Sequence, residues 1–234
     1  MTVEFGVLGS IEAGIDGRPV PLGHARQRAV LAVLLVDVNH PVTTDQLADR
    51  VWGDRLPRQA RATLHGYLSH LRQALDATSE ANIVRHPGGY ALTTADTATV
   101  DLHSFRRLVA QARAGDDDIR AAALFEQALR LWRADAFGTM DTPWINSLRA
   151  TLDQERRAAQ LDLGDLQLRL GRHAALLPEL SARAAAHPLD ERLAGQLILA
   201  LHRCGRPADA LDRYQHTRRR LAQELGIGPG PALR

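Results

Sequence analysis

A mainly α-helical chain with a small β component is what these 234 residues predict, on three observations. Short apolar alternation broken by glycines marks the N-terminus, and apolar spacing of three and four runs through most of the remainder. Between them lies one hairpin signature, His86-Pro87-Gly88-Gly89. The length suits two domains of about 100 to 130 residues each. Apolar residues make up 45% and charged residues 24%, the balance of a globular chain rather than a disordered one.

Val3, Phe5, Val7 and Ile11 alternate, and Gly9, Gly14 and Gly17 divide the stretch into small antiparallel strands, with another expected over Arg18 to Leu22. From Ala25 the period changes. Ala29, Val30, Val33, Leu34 and Val38 predict an amphipathic helix ending near Asn39-His40-Pro41. Thr43 opens a second helix, because its hydroxyl can accept from the amide of Gln46 while the Gln46 side chain reaches back. Leu47, Val51 and Trp52 share one face, and Gly53 stops the helix.

A third helical pattern begins at about Arg58, with Ala60, Leu64, Leu68, Leu71 and Leu75 in one core stripe and Tyr67 on its edge. Turning 100° per residue puts Arg58, Gln59, Ala62, His65, Gly66, Ser69, His70 and Gln73 on the opposite side. Small and polar residues there suit a helix that sinks into a DNA major groove. Taken alone, a polar face with a few arginines is more often a solvated surface. The strands Ile83-Val84-Arg85 and Tyr90-Ala91-Leu92 that follow, joined through the hairpin, complete a winged helix-turn-helix.

Charge adds a local signal only. All 29 basic residues are arginine and the net charge is +2, a usage that a genome rich in G and C explains as well as a binding requirement does. From Arg55 to Leu75, however, there is no acidic residue, while four arginines and two histidines fall inside. That is an electropositive stripe.

Past Asp101 the β signals vanish. Gly171-Arg172 and Gly205-Arg206 sit in matching contexts 34 positions apart, the tetratricopeptide period, which predicts an all-α repeat domain. A less regular unit surrounds Gly115, and Gly138 to Trp144 interrupts the array before a helix from Ile145. Stacked helix pairs of this kind present surfaces for protein contact, though the same half could serve as a dimer interface or a prop for the first domain.

The chemistry of catalysis is not in evidence. Asp116-Asp117-Asp118 reads as negative charge at a helix N-terminus rather than a metal site. The ten histidines show no ligand spacing, and no phosphate loop or nucleophile elbow occurs. No catalytic residue, metal or cofactor is expected, and Cys204 reads as a small buried side chain within a repeat helix. A single cysteine, with neither a signal segment nor an apolar run of about 18 residues, leads us to expect a cytoplasmic protein.

Specific strings narrow the winged helix to the OmpR/PhoB type. "VLGSIEAGIDGRPVPLG", "RQRAVLAVLL", "QLADRVWGDRLP", "ATLHGYLSHLRQAL" and "HPGGYAL" resemble the DNA-binding half of the Streptomyces antibiotic regulatory protein (SARP) family. "VDLHSFRRLV" and "ELGIGPGPAL" resemble the two ends of that family's bacterial transcriptional activation domain. The resemblance implies residues 1-98 as the winged-helix domain and 99-234 as the activation domain. It implies a cytoplasmic, nucleoid-associated activator of antibiotic biosynthesis genes that binds direct repeats in double-stranded DNA, as a homodimer or side-by-side copies, and recruits RNA polymerase.

The resemblance assigns DNA contact to Arg58, Arg61, Thr63, His65, Gly66, Tyr67, Ser69, His70 and Arg72 on the third helix and to Arg85 and His86 on the wing. The loop Gly53, Asp54, Arg55, Leu56 and Pro57 matches the polymerase-contact position. Related winged helices carry further arginines where this chain has Ala62, Ser69 and His70, so the base preference does not transfer. Two other readings stay open: a repeat scaffold or signalling adaptor, and the front part of a larger regulator, since the closing "PALR" reads as an element cut short.

Overall fold

The computed structural model describes residues 2–231 and 233. Met1 lies outside them, as do Ala232 and Arg234 of the closing PALR, on which the expectation of a continuing chain rests. The chain falls into two units, Met1–Gln111 with Gln127–Arg156, and Ala112–Glu126 with Arg157–Arg234.

In the first unit the N-terminal alternation forms a sheet of β1 (Val3–Gly6), β2 (Glu12–Ile15) and β3 (Arg18–Pro19), in that order and antiparallel. The last strand stops short of the expected Leu22, because Pro19 and Pro21 lack the N–H that would extend its ladder. Helix α1 (Ala25–Val36) starts at a His24 cap that Gln27 reciprocates. It is not amphipathic as its spacing predicts: every side chain from Ala29 to Leu35 is fully buried. Helices and strands cover it all round, and on one side His103 Nε2 donates to the Leu35 carbonyl at 2.9 Å.

Helix α2 (Thr44–Trp52) has the expected capping box, with Gln46 N–H donating to Thr43 Oγ1 at 3.1 Å and Thr43 N–H to Gln46 Oε1 at 3.0 Å. Helix α3 (Ala60–Leu75) starts two positions later than expected and buries Ala60, Leu64, Leu68, Leu71 and Leu75, the predicted stripe. A short β4 (Val42–Thr43) pairs with β6 (Gly89–Thr94), which pairs with β5 (Ala81–His86). A Cβ at Gly89 would stand 2.1 Å from the Val42 carbonyl oxygen, so only glycine lets the hairpin close on β4.

Helix α4 (Asp101–Ala114) opens with a buried carboxylate. Asp101 accepts from Val7 N–H at 2.9 Å and Leu8 N–H at 3.0 Å, and Arg133 Nη1 lies 3.1 Å away. The carbonyls of the same two residues accept from Phe137 N–H at 2.8 Å and Arg133 N–H at 2.9 Å. Burial pushes the Asp101 carboxyl above the ordinary aspartate range, against the pull of those hydrogen bonds and of Arg133. Helix α6 (Pro143–Arg169) begins at Pro143 rather than Ile145, since proline suits the first helical position. Its Arg149 gathers the carbonyls of Ala136, Gly138 and Met140, and Thr142 Oγ1 donates to the Arg50 carbonyl at 2.9 Å.

The second unit is helical. Helix α5 (Asp118–Arg130), whose first half lies here, is capped by Asp117, which accepts from Ile119 and Arg120 N–H, so the acidic triplet does serve a helix start. Helices α7 (His173–Ala186), α8 (Glu191–Arg203) and α9 (Pro207–Leu225) pack in sequence around Leu176, Leu180, Leu193, Leu197 and Leu201. The 34-residue repeat appears in the hydrogen bonds themselves. Leu170, Gly171 and Arg172 N–H donate to Leu166, Leu168 and Gln167 carbonyls, and Cys204, Gly205 and Arg206 repeat the pattern onto Ala200, His202 and Leu201. Both glycines have left-handed φ, +77° and +74°. Cys204 sits half-buried at the end of α8 rather than within it.

Asp101→Asn should lower the stability of the first unit by about 1–3 kcal/mol, since an amide offers one acceptor and a competing donor to two buried N–H groups. Trp52, Trp132 and Trp144 all lie in that unit, so fluorescence-monitored urea unfolding reads it. A raised folded pKa means that the native state holds the proton more tightly than the unfolded one, so the group's contribution to stability is full below 3.8 and falls as pH rises through the folded pKa. The gap between native protein and variant should therefore narrow over that rise. Gly171→Ala and Gly205→Ala should each cost about 1–2 kcal/mol, read by circular dichroism on thermal melting, because alanine is strained at positive φ.

Candidate nucleic-acid interface

The turn after α2 decides how α3 is presented. Gly53 ends α2 at φ 54° and ψ −130°, a backbone that favours glycine. Asp54, Arg55 and Leu56 are exposed, Leu56 by 57%, while Gly53 and Pro57 are half-buried. The Pro57 carbonyl accepts from Ala60 N–H at 3.1 Å and starts the next helix.

On α3 the core stripe fixes the opposite side outward. Arg58, Arg61, His65, Gly66 and Ser69 are exposed, together with Gln59, Ala62 and Gln73. Beyond Gly66 there is open space, since a Cβ there would meet nothing within 4 Å. Small residues at 62, 66 and 69 thus form a shallow strip with arginines at its N-terminal end. Thr63 is half-buried and donates its hydroxyl back to the Gln59 carbonyl at 3.0 Å.

Three expected contact residues are engaged inside the unit. Tyr67 packs between the rings of His24, at 5.0 Å between centroids, and Trp52, at 6.1 Å. His70 is half-buried near Gly23, its Nδ1 enclosed without a hydrogen-bond partner among the described residues. Arg72 donates Nε–H to the Ile83 carbonyl at 2.8 Å and lies over the Tyr90 ring at 5.3 Å, tying α3 to the hairpin. The sequence pattern gave the angle of each residue around the helix but not the curl of its side chain.

The wing places Arg85 exposed on β5 and His86 half-buried at its end, opposite Gly89. Its turn is held to the start of α2, where Thr44 N–H donates to the Gly88 carbonyl at 3.0 Å and Thr44 Oγ1 at 3.2 Å. The structure adds Asp45 to this surface, absent from the sequence reading: its Oδ1 accepts from Arg61 Nη2 at 3.0 Å. Nothing in the sequence signals that pairing, because it joins two helices across the turn. Among the described residues no group of three His, Cys, Asp or Glu is placed to hold a metal ion, and no helix is long and apolar enough to cross a membrane.

Two family models match: "Transcriptional regulatory protein, C terminal" over residues 17–92, and "Bacterial transcriptional activator domain" over residues 100–234. The chain is 38% identical over 234 residues to the regulatory protein AfsR of Streptomyces coelicolor, covering 99% of itself but 23% of AfsR. It is 32% identical over 243 residues to the regulatory protein DnrI of Streptomyces peucetius, covering 99% of itself and 89% of DnrI. Among solved structures, Mycobacterium tuberculosis EmbR in complex with a low-affinity phosphopeptide superposes with a TM-score of 0.86 at 34% identity, over 99% of this chain and 62% of that one. The paired domains, a winged helix followed by tetratricopeptide-like helices, and this coverage of DnrI identify the chain as a member of the SARP family of transcriptional regulators.

Proposed function

We propose that this SARP-type regulator binds DNA sequence-specifically by inserting the outer face of α3 into a major groove, with the Pro87-Gly88 turn and Arg85 against the flanking backbone. The observation that carries this reading is the exposed strip of Ala62, Gly66 and Ser69, bordered by Arg58 and Arg61 and standing on a fully apolar inner stripe. A helix with small residues at its centre can approach base edges closely, and arginines beside it suit phosphate. His65, Ser69 and Gln73 are placed to read bases; Arg58, Arg61 and Arg85 position the domain. Tyr67, His70 and Arg72 support the face from within, and Thr63 and His86 contribute at its margins.

Residues 1-98 are the DNA-binding part in this reading, and 99-234 the part that communicates activation. The chain binds direct repeats as a dimer or side-by-side copies, in the cytoplasm on the nucleoid, and presents Gly53 to Pro57 to RNA polymerase. Membership of the SARP family, with the regulatory proteins AfsR and DnrI of Streptomyces among its relatives, is the ground on which we infer that the target genes serve the biosynthesis of an antibiotic or other secondary metabolite. The chain acts without a catalytic step of its own.

Selection from a randomised duplex library followed by fluorescence anisotropy tests this. Arg58→Ala and Arg85→Ala should weaken binding to every sequence alike and each reduce the slope of log affinity against log salt by about 1, whereas His65→Ala and Ser69→Ala should change the selected bases. Arg72→Ala should lose hairpin stability as well as affinity. Gly66→Ala should stabilise the helix by about 0.5–1 kcal/mol yet weaken DNA binding, because the added methyl stands where the groove floor must come close. A library that yields no enriched motif, or an affinity indifferent to salt, would count against the docking and favour the adaptor reading.

A further inference from the structure

We propose that Asp45 is a built-in competitor for the DNA backbone: it holds the Arg61 guanidinium and must release it before Arg61 can take a phosphate. The inference rests on the docking reading above and assigns a residue which that reading does not use.

Asp45 lies in the first turn of α2, where the unpaired N–H groups of the helix start favour a negative group. The same place is where three elements of the surface meet. Thr44 beside it bonds the wing turn at Gly88, Asp45 bonds Arg61 in the first turns of α3, and both partners of the ion pair are open to water, at 74% and 79% side-chain exposure. No acidic residue lies between Arg55 and Leu75, so this carboxylate reaches the stripe from another helix. A helix N-terminus next to an arginine is a favoured seat for phosphate, and here a carboxylate occupies it.

Two consequences follow for binding. An exposed ion pair adds little to folding, so Asp45 can be altered without disturbing the domain. A phosphate arriving at Arg61 meets a like charge about one side chain away and a cation already partnered, which weakens loose electrostatic association with any sequence. The same cost is met in any complex in which Arg61 takes a phosphate, whatever the base sequence. Asp45 therefore sets the strength and salt dependence of DNA binding through Arg61, without touching a base.

The test uses the full chain, a duplex chosen from the library and a mixed-sequence duplex, with affinities measured across a salt series. Asp45→Asn should leave the domain folded, with a melting temperature lowered by at most a few degrees for the charge lost at the start of α2, and tighten binding to both duplexes roughly three- to fivefold. Its slope of log affinity against log salt should steepen by about 1, as one more cation becomes available to displace counterions. In an Arg61→Ala background the same change should do markedly less, because its partner is gone. Equal affinity and slope for Asp45→Asn and the native chain would overturn the proposal, as would a gain of full size in the Arg61→Ala background. If the native chain binds neither duplex, the docking reading falls with it; if it binds normally and Asp45→Asn changes nothing, only this inference does.

Discussion

The Asp101 carboxylate against the Val7-Leu8 backbone is the contact on which the N-terminal unit depends. A loop that turns into the interior after β1 brings two N–H and two carbonyl groups with it, and each is costly if left unpaired. Asp101, 94 positions away from Val7, takes both donors, and the backbone of Arg133 and Phe137 supplies the two carbonyls. Burying a carboxylate is unfavourable by itself. Here the N–H groups and the Arg133 guanidinium at 3.1 Å offset part of that cost, and the pairing of all four backbone groups keeps the sheet where α4 and the 133–137 segment put it.

From that joint the order passes inward to α1 and outward to the candidate interface. Because α1 is enclosed on every side, it presents a wall to the leucines of α3, and burying that apolar stripe turns the polar side of α3 outward. Arg72 then fixes the hairpin to α3 through Ile83, and Thr44 fixes the hairpin turn to α2. Helix, wing and turn thus form one preorganised surface rather than three jointed pieces, the condition under which a few side chains can discriminate between bases.

Local signals were legible in the sequence where local physics decides the outcome. The Thr43 and Gln46 capping box, the α3 leucine stripe, the hairpin at Pro87-Gly88 and the 34-residue spacing of Gly171 and Gly205 all appear as read. What spacing misrepresents is α1: Ala29, Val30, Val33 and Leu34 suggest one apolar side, yet Leu31, Ala32 and Leu35 are buried as deeply because long-range neighbours cover them too. The unbroken apolar run itself was the better clue. Within the candidate interface the exposed residues followed from helical angle, whereas the inward reach of Tyr67, His70 and Arg72 depended on Trp52, Gly23 and Ile83, none of which helical periodicity relates to them.

Charge shows the same division between what a count reveals and what placement reveals. In a chain whose cations are all arginine, their number says little about partners. Pairing says more. In the second unit Asp162 and Asp165 hold Arg192, Asp162 also holds Arg113, and Asp118 holds Arg169, whose guanidinium keeps the Asp118 carboxyl below the ordinary aspartate range. Those arginines already have carboxylates and present little net field to a polyanion. Arg58 and Arg85 have no ion-pair partner among the described residues, and their neighbour Arg61 is partnered only from another helix. A net charge of +2 is therefore compatible with a strongly anion-seeking patch, provided that acids and bases are matched elsewhere and left unmatched on one face.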